Sequence, residues 1–142
     1  MDKYIDEVFG ELIHDITFKK KYHINIFNQE STVDISTRAF EFSEITQYQR
    51  QTFIEFEKKK DEIIKAVEQA VIQYCKATYD VSNEDEIFPN VELETIVIHR
   101  DSEENKRKVG FIISDEYNME EGIGIQIINE KIHDIHNQYL IL

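Results

Sequence analysis

A single cysteine, Cys75, cannot close an intramolecular disulfide, so nothing in the chain calls for an oxidising compartment. Tryptophan is absent, proline occurs once, at Pro89, and glycine four times, which excludes proline-rich, glycine-rich and other low-complexity architectures. No apolar run approaches the roughly 18 residues that a spanning helix needs. The opening "MDKYIDEVFG" has neither the basic nor the apolar segment of a secretory signal, and a cytoplasmic location is expected. Positive charge is also scarce, with 16 lysines and arginines against 29 acidic residues and a net charge of −13. Such a field repels nucleic-acid backbones and anionic membranes, while it speeds encounter with a basic protein. The imbalance is concentrated in residues 81–142, which hold fourteen acidic and five basic side chains, a net −9.

What is present fits one domain over residues 1–142, long enough to bury about two thirds of its unfolded surface without covalent or metal staples. No internal repeat divides it. The first third reads as an antiparallel meander: "VFGELIHD" (Val8 to Asp15), then "KYHINIF" with Tyr22, Ile24 and Ile26 alternating with polar residues, a turn at "NQES", and "TVDIS". In the middle third the period changes. Ile45, Tyr48, Thr52, Phe53 and Phe56, then Ile63, Val67, Ala70, Val71 and Tyr74, recur at steps of three and four, which predicts one long helix or two helices broken near Lys58 to Lys60 with Asp61 as N-cap. Residues 81–90, "VSNEDEIFPN", read as a loop. The last third returns to β-branched runs, "ELETIVIHR", "RKVGFIIS", "GIGIQIIN" and "KIHDI", with a tight turn at Asn129 and Glu130. The expected fold is α+β: an antiparallel sheet, made of an N-terminal meander and C-terminal hairpins, with one or two central helices packed on one face.

Candidate chemistry is sparse. "HRDSEEN" (His99 to Asn105) invites comparison with a kinase catalytic loop, but its asparagine comes one residue early and the glycine-rich and D-F-G segments are missing, so a solvated hairpin loop is the better reading. His133 and His136 would share a metal on a helix, whereas on a strand an odd offset sends them to opposite faces. Cys75 lies on the apolar helix and reads as a small buried hydrophobe. No metal or other cofactor is expected.

The densest feature is "SDEYNMEEGIGIQI" (Ser114 to Ile127), in which Asp115, Glu116, Glu120 and Glu121 precede glycine and isoleucine. The spacing lacks the order that wraps a loop around calcium. Two carboxylates about 7 Å apart in water repel by only about 0.6 kcal/mol, so a solvated loop tolerates the cluster. Together with Glu84, Asp85 and Glu86 these carboxylates form a candidate protein-binding face, with Tyr117 either its aromatic anchor or a packed loop residue. The alternative is a small enzyme or divalent-ion site built from the acidic loop 115–121.

"VGFIIS" followed by "DEYNMEEGIGIQIINEKIHDI" resembles a motif of a family of small bacterial domains of unknown function, some similar to immunity proteins of polymorphic toxin systems. There a W-D-x-E-H-G segment leads into an apolar strand, a tight turn and a last strand. Tyr117, Asn118, Glu120, Glu121 and Gly122 occupy the matching positions, and only Glu120 and Gly122 agree in residue type. "VFGEL" and "AVEQAVIQY" extend the resemblance over most of the chain. It implies an immunity-type inhibitor of a cognate toxin; with the acidic C-terminal half and the lack of a catalytic signature, the expected function is a non-enzymatic protein-binding domain whose partner is another protein, a basic toxin domain.

Overall fold

The computed structural model describes residues 2–14, 17–38, 44–100 and 106–141. Eight strands form one sheet in chain order: β1 (Asp2–Asp6), β2 (Gly10–His14), β3 (Phe18–Ile26), β4 (Gln29–Thr37), β5 (Val91–Ile98), β6 (Lys108–Asp115), β7 (Ile123–Ile128) and β8 (Lys131–His136). Two helices, α1 (Gln47–Lys58) and α2 (Lys60–Tyr79), lie between β4 and β5. Neighbouring strands are antiparallel except β4 and β5, which run parallel with Asp34 opposite Thr95 and Thr37 opposite Ile98. The expected meander and hairpins are therefore halves of one mixed, mostly antiparallel sheet. Parallel neighbours cannot be joined by a hairpin, and the segment carrying the two helices supplies the crossover.

Several local expectations are corrected. β1 is an additional edge strand, and the strand expected over Val8 to Asp15 starts only at Gly10, because Asp6 accepts the Val8 and Phe9 amides and turns the chain there; it runs to His14, and Asp15 lies outside the described residues. The β3–β4 hairpin turns at Phe27 and Asn28, both at positive φ, rather than over Asn28 to Ser31. Asn129 and Glu130 do form the left-handed turn expected of them, at φ of 49° and 66°. The helices break at Lys59, but Lys59, not Asp61, precedes α2. Ile45 lies before α1, whose start is fixed by a reciprocal Thr46–Gln49 capping box. Replacing Thr46 with alanine should lower stability by about 1 kcal/mol in denaturant titration, the usual loss for such a cap.

The core follows from the two periodicities. Phe53, Phe56, Ile63, Val67, Val71 and Cys75 from the helices join Ile96, Ile98, Val109, Phe111, Ile113, Ile123, Ile125 and Ile127 from alternating strand positions in one buried cluster. Phe9 meets Phe53 edge-on at 4.6 Å between ring centroids, and Phe56 meets Phe111 at 6.2 Å. At full burial each such side chain contributes roughly 1.5–3 kcal/mol. The intervening residues Val97 and Ile112 pack instead with Ile141 and Leu140. That contact explains the glycines of "GIGIQI". A Cβ on Gly124 would stand 2.6 Å from the Asn137 carbonyl oxygen, and Gly122 combines a φ of 58° with a 2.7 Å approach to the Ile113 carbonyl oxygen, so both positions let the C-terminal segment lie against the strands.

Candidate functional site

The acidic loop begins inside the protein. Asp115, the last residue of β6, is 2% exposed. Its Oδ1 accepts the Tyr117 amide at 2.9 Å and its Oδ2 accepts the Tyr79 hydroxyl at 2.6 Å. Burial, followed by the hydrogen bond to Asp115, pushes the Tyr79 hydroxyl pKa well above that of free tyrosine, so the phenol stays a donor. Asp115 is thus removed from the exposed face and serves as the internal fastening of the loop. A carboxylate at a strand end, followed two residues on by the amide it accepts, is a local turn-former, and short-range charge clustering in the sequence does not reveal that choice.

Tyr117 is also committed. Its ring stacks on Tyr79 with centroids 5.1 Å apart and planes 18° from parallel. Its hydroxyl lies 3.3 Å from Asn90 Nδ2. Of the two roles open to it, the structure gives it that of a packed loop residue. The exposed apolar side chains here are others: Met119, 79% exposed, and Tyr139, 71% exposed. Met119 had one sequence signal, an apolar residue inside an acidic loop. Tyr139 had none, since it follows the last strand in a short 3-10 turn, Gln138–Leu140.

Three segments far apart in sequence are tied together around this loop. Glu116 donates its amide to the Asn90 carbonyl at 2.9 Å, Asn90 Nδ2 reaches the Glu86 carbonyl at 2.7 Å, and Gln138 donates its amide to the Glu121 carbonyl at 2.9 Å. Within the loop the Gly122 amide reaches the Asn118 carbonyl at 2.9 Å. Glu84, Asp85 and Glu86, in the 3-10 turn after α2, are therefore joined through Asn90 to the loop bearing Glu116, Glu120 and Glu121. All six side chains are exposed. Glu84 pairs with Lys76, and Glu121 accepts from Asn137 Nδ2 at 3.3 Å. The fixed backbone presents these carboxylates outward without the loop-ordering entropy that a disordered acidic segment would lose on binding.

No group of three or more histidine, cysteine or acidic side chains able to hold a metal occurs among the described residues. His133 and His136 are both exposed on β8, where a bulge opposite Gln126 and Ile127 interrupts the alternation used to separate them and turns both Ile132 and Ile135 toward the core. Cys75 is fully buried, and burial, with the nearby Asp115 charge, pushes its thiol up to about 12, which keeps it protonated. In "HRDSEEN", Asp101 to Asn105 lie outside the described residues. His99 is held neutral, its pKa lowered to about 4 by burial and then by the Arg38 and Lys108 charges.

The family model for the domain of unknown function DUF6985 matches residues 8–142. No curated protein and no solved structure matches the chain. The match covers nearly the whole chain, which belongs to that family.

Proposed function

We propose that this member of the DUF6985 family is a non-enzymatic acidic protein-binding domain, of the immunity type, that occludes a basic toxin domain. The observation that carries this reading is the hydrogen-bonded loop on which exposed Glu116, Glu120 and Glu121 flank the exposed Met119 along the chain, with Tyr139 exposed on the segment tied to Glu121. Methionine and aromatic residues are enriched at interface centres, where a few buried anchors supply most of the affinity, and a charged surround speeds encounter and selects the partner. The ion-binding or enzymatic alternative has less support, because both Asp115 carboxylate oxygens are occupied by internal donors.

Co-purification with the products of adjacent genes tests the proposal. One basic product should bind, and the double reversal Glu120→Lys, Glu121→Lys should weaken that binding by about tenfold or more at low salt, with less loss as salt screens the charges. The melting temperature should move little, since both side chains are exposed. The proposal fails if no adjacent product binds, or if binding is indifferent to the reversal.

A further inference from the structure

Beside the acidic face, a groove of about 560 Å³ opens between the β3–β4 turn, α2 and the 84–90 segment. Phe27, Ile72, Phe88 and Pro89 give it an apolar floor and Glu84 and Asp85 an acidic rim. The floor is held from several directions. Phe27 sits at a φ of 59°, unusual for an aromatic residue, with its amide donated to Glu68 Oε2 at 2.9 Å and its ring 5.3 Å from that of Phe88. Gln29 Nε2 donates to the Phe88 carbonyl at 3.1 Å and lies 3.3 Å from that of Val91, which anchors the facing wall. On the rim Glu84 is paired with Lys76, whereas Asp85 has no ion pair among the described residues.

We infer that this groove receives an arginine side chain from a basic protein partner, with its aliphatic stem on Ile72 and Pro89, its guanidinium against the Phe88 ring and its charge met by Asp85. The inference rests on the protein-binding reading and adds to it the location and chemistry of one contact. Arginine fits because its long stem covers apolar surface while its planar cation both stacks on an aromatic face and pairs with a carboxylate. A purely apolar occupant would leave the Asp85 carboxylate against it unpaired. An acidic occupant would be repelled by Asp85, whose charge no neighbour compensates among the described residues.

The test uses the intact chain, isotope-labelled for amide NMR, and the capped hexapeptide of alternating leucine and arginine, with glutamate replacing arginine in a control peptide. The arginine peptide should shift the amides of Phe27, Asn28, Ile72, Asp85 and Phe88, and the glutamate peptide should not. Asp85→Lys should weaken the arginine peptide at least tenfold and Asp85→Asn severalfold. Glu94→Lys, an equal change in net charge on β5 outside the groove, should change it less than twofold. Asp85 and Glu94 are exposed, so these variants retain the fold. Shifts confined to residues 116–121 and Tyr139 would overturn the groove while leaving the acidic face in place. Equal weakening by Asp85→Lys and Glu94→Lys would overturn it in favour of diffuse charge attraction. Absence of any shift would overturn it too, and co-purification would then decide the wider reading separately.

Discussion

Replacing Arg50 with alanine is expected to destabilise the folded chain by about 3–5 kcal/mol, because it strands a buried carboxylate without its counter-charge. Asp6 has a fully buried side chain and Arg50 one that is 15% exposed. Two guanidinium nitrogens reach Asp6 Oδ1 at 2.6 and 2.8 Å, while the Val8 and Phe9 amides donate to Oδ2. The pair joins β1 to α1, and among the described residues β2 meets β3 at two paired positions, so the β1–β2 hairpin depends on this connection. Urea titration should show the loss, with the midpoint falling more than the slope changes. An exposed pair such as Lys3 and Glu11 should contribute far less.

The same pair gives a pH signature. Burial pushes the Asp6 carboxyl up, but the Arg50 hydrogen bond, the two amides and the Arg50 charge outweigh it and leave the pKa below its ordinary 3.8. A carboxyl lowered by folding contributes stability that is fully present above its unfolded value and is lost as pH falls through its folded value. The native chain should therefore lose stability below about pH 4, and the gap between it and the Arg50 variant should be widest above that pH and narrow on acidification. A gap that grows on acidification would contradict this assignment.

The second large effect belongs to Asp115. Asp115→Ala removes both acceptors from the Tyr79 hydroxyl and the Tyr117 amide inside the protein and should lower stability by about 2–4 kcal/mol. Tyr79→Phe should lower it by less, since the Tyr117 amide keeps its acceptor. The double variant should fall short of the summed single losses, as expected for side chains in direct contact. Partner binding should weaken as well, although Asp115 is not at the surface, because the loop that positions Glu116 and Met119 loses its fastening. Independent, additive stability losses would show that the two groups are not coupled.

How much of this was legible in the sequence depended on the range of the interactions involved. The alternation of Tyr22, Ile24 and Ile26, the helical spacing of Phe53, Phe56, Ile63 and Val67, and the left-handed pair Asn129 and Glu130 are local signals, and they placed most elements. β1 escaped because "DKYID" carries more charge than apolar pattern, and its position depends on pairing with β2 and on the distant Arg50. The parallel contact of β4 with β5 was equally non-local. At the site, the exposure of Glu116, Glu120 and Glu121 followed from composition, whereas the burial of Asp115 required Tyr79, 36 positions away, to fold against it. The stack of Tyr79 on Tyr117 and the exposure of Tyr139 likewise depend on how the segments assemble.

The most direct measurement is amide hydrogen exchange on the intact chain, free and mixed with whichever adjacent gene product co-purification recovers. Slowed exchange across Glu116 to Glu121 and at Tyr139, with the sheet core unchanged, is the predicted footprint. Protection that skips this loop and falls instead on the β1–β2 edge, where Ile5 and Ile13 are exposed, would contradict the account.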